Sequence, residues 1–270
     1  MKSNRLFGAP AAGAAEIRRS LLPLRVWRLT TASLVVILLL LFSANVFAFD
    51  HTYADYQSVL DKYVADGRVD YTGLLADRGA LDEFVASCEA VSFERYNAFT
   101  KNEKLAFLIN LYNAATLQLV LNHWPVESIK DIGGLFSSPW NKKFLRLFEH
   151  DASLGMIEHD ILRADFSEPR IHFAIVCASV GCPMLRSDVY LDSEMSRQLA
   201  EQERHFLTQR ANDNRFEDGT LYVSPIFKWY RRDFDGDDGV RTLFQMYFPD
   251  VKKDTRIRYT EYDWGLNQKP

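Results

Sequence analysis

From residue 50 onward, apolar positions switch between helical and strand-like spacing without a strict βαβ rhythm. Tyr56, Val59, Leu60, Tyr63 and Val64 recur at helical intervals and predict a helix over residues 51–66, with Gly67 just past its end. "RVDY" predicts a short strand. "LDEFVASCEAV" predicts a second helix, in which Cys88 sits among apolar positions as a packed thiol. The strongest pattern covers residues 101–122. Thr100 with Glu103 makes a capping box there, and Pro125 prevents continuation. This helix is apolar nearly all round and should be buried. Glu103, Asn110 and Asn113 interrupt it as one polar stripe, with Asn110 about 20° from Glu103 around the axis. A buried asparagine costs free energy unless its amide is hydrogen-bonded, so the stripe faces either a structural network or a site.

Further along, "FLRLF" (144–148) predicts a strand, and Ser153 is placed to cap a helix over "LGMIEHDILRADF", which carries Glu158 and His159. "RIHFAIVC" (170–177), opened by Pro169, has the short, apolar, β-branched character of a buried strand, and "SVGCPML" that of a loop. A polar helix is expected from Asp192 or Ser193 to about Arg210. "RFEDGTLYV" predicts a hairpin turning at Asp218-Gly219, "PIFKWYRRDF" and "GVRTLFQMYF" predict helices, and "RIRYTEY" a closing strand. The fold class is α+β: a single domain over residues 49–270, a small mixed or antiparallel sheet against several helices, with a papain-like or transglutaminase-like arrangement among its possible forms.

The first 48 residues are different. Arg18, Arg19, Arg25 and Arg28 precede a stretch without charge up to Asp50, most apolar at residues 34–42 and followed by "VFA". A basic arm, an apolar core and a small terminal residue read as a secretory signal cut after Ala48. The competing reading is an uncleaved membrane anchor over residues 29–49. Either reading places the folded part outside the cytoplasmic membrane, most simply in a bacterial periplasm. Residues 1–48 hold Lys2, Arg5, the four arginines above and Glu16. Without them the formal charge moves from −4 to −9. So acidic a domain is a poor partner for nucleic acid, and it would meet a membrane only through the N-terminal segment.

Motifs for nucleotide, serine-hydrolase and zinc-protease chemistry are missing: there is no P-loop, GxGxxG, GxSxG or HExxH. Asp233, Asp235 and Asp237 resemble the opening of a calcium loop, but the sixth position would be Asp238 instead of glycine and the twelfth Phe244 instead of glutamate. No metal or cofactor is expected. Cys177, Cys182 and His172 carry more. Cys177 ends an apolar segment where the chain turns into a loop, a place from which functional side chains emerge. A nucleophilic cysteine needs a base and a group to orient it; His172, His159, Glu158, Asn110 and Asn113 are the available partners. Strand alternation would point His172 and Cys177 to opposite faces, which brings His159 in as an equal candidate. A Cys177–Cys182 disulfide, passive or redox-active, is also open, since an exported protein permits one.

"NEKLAFLINLYNAATL", "SLGMIEHDILR", "IHFAIVCASVGCPML" and "VSPIFKWYRRDF" resemble, in order, the hallmark segments of a bacterial and plant family catalogued as domain of unknown function 547. The resemblance runs from about residue 53 to residue 260. It singles out Asn110, Tyr112 and Asn113, then Glu158, His159 and Arg163, then His172, Cys177, Ser179, Cys182 and Pro183, and finally Ser224, Phe227 and Trp229. Leu108 departs from the bulky aromatic that members often carry, a packing change only. The resemblance implies that these polar residues form one constellation but implies no activity. Two functions are therefore expected in competition. One is a thiol-dependent hydrolase or transferase acting on an amide or ester of a small molecule or peptide. In it Cys177 is the nucleophile, His159 or His172 the base and Glu158 or an asparagine its orienter, with Arg163 and Ser179 on the polar network. The other is a non-catalytic periplasmic binding or assembly module.

Overall fold

The capping box at Thr100 forms. In the computed structural model, which describes residues 49–134 and 137–270, the Thr100 hydroxyl accepts from Glu103 N (3.2 Å) and the Glu103 carboxylate accepts from Thr100 N (2.6 Å). Ala54–Tyr63 is α1, Val64–Ala65 β1, Arg68–Val69 β2, Tyr71–Ala76 α2, Gly79–Glu89 α3, Phe93–Ala98 α4 and Lys101–Leu121 α5. Helix α3 packs on α5 and α1 packs on α3. Helix α5 is long and apolar enough to cross a membrane, but 89% of its apolar window is buried inside the protein, so its hydrophobicity is that of a core helix. Removing the cap tests how much this end contributes: Thr100→Ala should cost about 1 kcal/mol. A thermal melt should show a drop of about 2–4 °C, and an unchanged midpoint would contradict it.

Three small sheets accompany the helices, and the fold is α+β. Strands β1 and β2 form an antiparallel pair, as do β3 (Leu145–Leu147) and β4 (His150–Ala152). Strands β5 (Arg215–Glu217) and β6 (Thr220–Val223) form the hairpin expected from Asp218-Gly219, whose φ values of 47° and 71° are both left-handed. Strand β7 (Arg256–Tyr259) joins β6 in parallel, Leu221 opposite Ile257. A second core lies here, where Phe173, Phe206, Phe227, Phe234 and Phe244 pack with Leu221 and Val223. Helix α6 (Met195–Thr208) follows a 3₁₀ turn at Asp192–Glu194, α7 is Ile226–Trp229 and α8 is Gly236–Gln245.

Four expectations need correction. The first helix stops at Tyr63, and Gly67 (φ +73°) sits with Asp66 (φ 49°) in the β1–β2 turn, so it is not a helix end. The segment after Ser153 is a π-helix, Met156–Leu162, followed by one α-turn, Arg163–Asp165; Ser153 Oγ still accepts from Met156 N (3.3 Å). "PIFKWYRRDF" is helical only over α7. The largest correction is "RIHFAIVC", which is a 3₁₀ helix over Pro169–Phe173 and then irregular chain, with no strand beside it. Side-chain amides replace the missing ladder. Asn113 Nδ2 donates to Ala174 O (3.0 Å), its Oδ1 accepts from Val176 N (2.8 Å), and Gln202 Nε2 donates to Phe173 O (3.1 Å). Buried backbone groups must find partners, and here two helices supply them. The alternation that set His172 against Cys177 therefore does not apply.

Candidate functional site

Asn110 and Asn113 do not reach a cavity. Asn110 exchanges both its amide groups with the backbone of Tyr190 (2.8 and 2.9 Å), and Asn113 holds residues 174–176. The side chain between them does reach one. Tyr112 lines a hollow of about 400 Å³ together with Glu158, His159, Arg163, His172, Cys177 and Cys182. The sequence-picked polar residues other than Glu103, the asparagines, Ser179 and Ser224 thus meet at one place. Trp140, Trp229, Tyr230, Tyr262 and Trp264 complete its walls. Trp264 touches Trp140, Trp229 and Tyr262 at ring separations of 6.0, 5.6 and 4.5 Å, forming a continuous aromatic wall.

The π-helix sets the acid side. Wide turns of this kind occur often at functional sites. Glu158 is buried and accepts from the phenols of Tyr112 (3.1 Å) and Tyr230 (2.5 Å); His159, next in sequence, is turned outward. Burial holds the Tyr112, Tyr230 and Tyr262 phenols above the usual tyrosine range, so all three remain hydrogen-bond donors.

Asp233 organises the opposite side. It receives both Arg163 Nε (2.6 Å) and Nη2 (2.8 Å), and its Oδ2 is also 2.7 Å from His172 Nε2. The two hydrogen bonds from Arg163, more than any other influence, hold the Asp233 carboxyl down at about 2. His172 is pushed the other way from the usual effect of a carboxylate neighbour: burial disfavours its cation and lowers its pKa, outweighing Asp233. A neutral His172 donates from Nε2 to Asp233, which leaves Nδ1 as a bare lone pair. That atom is buried and has no partner among the described residues. The ring lies stacked on Tyr230 at 3.8 Å. Arg163 Nη1 also reaches His159 Nδ1 (3.1 Å), so Arg163 links His159 to Asp233, the partner of His172.

The sulfurs form the third part. Cys177 and Cys182 are joined as a disulfide, and no histidine nitrogen bonds either sulfur among the described residues. The Tyr262 hydroxyl lies 3.1 Å from Cys177 Sγ and 3.2 Å from Cys182 Sγ, and Cys177 N donates to Cys182 Sγ (2.9 Å). Ser179 Oγ is 3.6 Å from Cys177 Sγ. Cys177 is half-buried, Cys182 buried. Ala178, between Cys177 and Ser179, has a left-handed backbone (φ 59°), a strain of roughly 1 kcal/mol or more that a non-glycine residue tolerates only where its surroundings enforce it. Two devices enforce it. Arg210 donates to the carbonyls of Val180 (2.6 Å) and Cys182 (2.7 Å) while its Nε is held by Asp213 (2.8 Å). The C-terminal segment then closes over the loop: Val180 N donates to Gly265 O (2.8 Å), Gly181 N to Asp263 O (2.8 Å) and Asn267 N to Ala178 O (2.9 Å). Gly181 approaches so closely that a Cβ there would meet Asp263 backbone atoms at 3.0 Å.

Sequence reasoning missed Asp233, Tyr230, Tyr262, Trp140 and Trp264. Asp233 stood in a rejected calcium loop, and nothing in local spacing joins it to His172, 61 residues away. Cys88 is buried in the main core, away from these groups, and burial raises its pKa. Among the described residues, no group of three or more His, Cys, Asp or Glu is placed to hold a metal ion.

Residues 96–207 match the family model described as "Protein of unknown function, DUF547". The match is shorter than the resemblance of the four motifs suggested, and it leaves Trp229, Tyr230, Asp233 and the C-terminal segment outside its bounds. Neither a curated protein nor a solved structure matches the chain. The helix that anchors the site, the π-helix with Glu158 and His159, and the His172–Cys182 segment all fall within residues 96–207, the stretch that matches the model of the domain family of unknown function 547.

Proposed function

We propose that the cavity is the active site of a thiol-dependent hydrolase or transferase acting on an amide or ester, with reduced Cys177 as nucleophile. One observation carries the reading. Cys177, half-buried and next to a strained residue, opens into the same aromatic-walled hollow as a histidine whose one nitrogen is fixed by a carboxylate and whose other nitrogen is unpartnered. That is the nucleophile, base and orienter set, with Asp233 in the orienting role. An external thiol first reduces the disulfide, giving two protein thiols and the oxidised reagent. The Cys177 proton passes to His172, and the sulfur attacks the acyl carbon to form a thioester. The amine or alcohol leaves with the proton from His172. Water, deprotonated by the same base, then breaks the thioester, or an acceptor amine does so. The rest of the chain is an exported domain on this reading, with residues 1–48 as its signal or anchor.

A second reading has its own support. Both sulfurs border the cavity and share the Tyr262 hydroxyl, an arrangement also suited to thiol–disulfide exchange with a bound dithiol. One experiment separates the two. Protein reduced with dithiothreitol is freed of reductant and mixed with p-nitrophenyl acetate, and the intact mass and the site of acetylation are followed. Hydrolase chemistry gives an acetyl group on Cys177, formed about 10²-fold or more faster than on a simple thiol, and it survives Cys182→Ser. Acetylation of Cys177 at the rate of a simple thiol rules the first reading out. Catalysed exchange that Cys182→Ser abolishes supports the second.

A further inference from the structure

A second hollow of about 630 Å³ opens beside the first and shares Arg163 and Trp229 with it. Lys228, Arg231, Arg232 and Asp235 supply most of the remaining lining. Four of these six side chains are cationic, in a part of the chain whose formal charge is −9. Two of the four are already engaged: Arg163 with Asp233 and Arg231 with Asp237. Lys228 and Arg232 are exposed and take part in none of the ion pairs among the described residues. Trp229, 47% exposed, lines both hollows, and its ring neighbours Tyr262 and Trp264 line the first with the sulfurs.

Charge separation of this kind has a direction. An acidic domain repels anions in general, so a local cationic hollow beside the reactive sulfur concentrates the anions that fit it and favours them over neutral or cationic molecules. A guanidinium grips a carboxylate or phosphate through two parallel N–H bonds, while an ammonium contributes a point charge. Asp235 is the only acid of the lining and lies at the left-handed turn that starts α8, so the hollow keeps an excess of positive charge.

We infer that the substrate carries an anionic group, a carboxylate or a phosphate, which Lys228 and Arg232 hold in the second hollow while the rest of the substrate lies in the first, on the other side of Trp229. This rests on the reading of the first hollow as a substrate site, but it does not depend on the chemistry at sulfur. The test is calorimetric titration of the full-length protein at low salt, with tryptophan emission followed in parallel. Citrate is the carboxylate probe and pyrophosphate the phosphate probe. Saturable binding of at least one probe is expected, with a change in tryptophan emission and weakening as salt is raised. Lys228→Glu/Arg232→Glu should raise its Kd about tenfold or more, because charge-assisted hydrogen bonds are lost and repulsion is added. Both residues are exposed, so the variant should fold; an unchanged melting temperature checks that. The more tightly bound probe identifies the anion. Absence of saturable heat with both probes, or an unchanged Kd in the double variant, overturns the inference. Retained anion binding without Cys177 acylation overturns the chemistry alone, and Cys177 acylation without anion binding overturns this inference alone.

Discussion

Asp233→Asn is expected to slow acylation of reduced Cys177 by about 10²–10³-fold while leaving the protein folded at neutral pH. The reason lies in one proton. Asp233 accepts from His172 Nε2, which fixes the tautomer with its lone pair on Nδ1. An asparagine amide can donate to Nε2 instead and move the proton to Nδ1, which removes the base. Arg163 at the same time loses the acceptor for its Nε and keeps only a neutral amide oxygen for its Nη2. Stability against pH provides an independent readout with a definite sign. Asp233 is held at about 2 against an ordinary 3.8, so its stabilisation is full above pH 3.8 and is lost as pH falls toward 2. With Asp233 about a fifth exposed, this amounts to roughly 1–2 kcal/mol after allowing for solvent screening. His172 is also depressed, from 6.5, so its contribution is full above pH 6.5 and falls away below it as the unfolded chain takes up a proton that the folded histidine resists. The melting temperature of the wild type should therefore decline in two stages on acidification. Asp233→Asn should flatten the lower stage. Identical pH profiles for the two proteins, or an acylation rate within a few-fold of wild type, would count against the role given to Asp233.

Asn113→Leu should be the most destabilising single change near the site. The leucine has a similar volume, so packing changes little, but Ala174 O and Val176 N are both left without their partner in the interior. Each stranded group costs about 1–3 kcal/mol, and the pair about 2–5 kcal/mol. The melting temperature should fall by roughly 5–15 °C. Hydrogen exchange adds a local measurement: the Val176 amide, protected in the wild type by Asn113 Oδ1, should exchange faster by a factor that exceeds the change at amides of α3. A melting temperature within about 2 °C of wild type would mean that the backbone finds other partners and that Asn113 is not what holds this segment. Because the held segment leads directly into Cys177, reactivity at that sulfur should drop in the same variant.

Much of the fold could be read locally. The Thr100 cap, the buried helix behind it and the Asp218-Gly219 hairpin each depend on residues within a few positions of one another, and each formed where the spacing placed it. The error at "RIHFAIVC" has a physical source. A β-branched apolar run reads as a strand when strand neighbours satisfy its backbone, but Asn113 and Gln202 satisfy this one from two helices. Tertiary partners overrode local preference. The asparagine stripe was legible as buried and bonded, and its structural reading is the one the geometry supports. His159, His172 and Glu158 were legible as partners for Cys177 by residue type, and Tyr112 and Arg163 joined them only through the family motifs. What joins them, Asp233 to His172 and Arg163, Tyr230 to Glu158 and Tyr262 to Cys177, spans 61 to 85 residues. No periodicity carries across such distances.

The C-terminal segment over the cysteine loop has a consequence for the order of assembly. Ala178, Val180 and Gly181 take their backbone partners from Asn267, Gly265 and Asp263, and Asn267 also ties back to Tyr71 and Gly67. On a ribosome these partners emerge after the loop and after every residue of the family match. The helices and the residues matched by the family can collapse earlier, since their contacts are nearer in sequence, but the loop that presents Cys177 must wait for residues 263–267. A polypeptide that stalls short of Asn267 would thus have most of its core but not the backbone bonds that close over residues 178–181: the shape of the Cys177 loop is set by residues made some eighty positions after it.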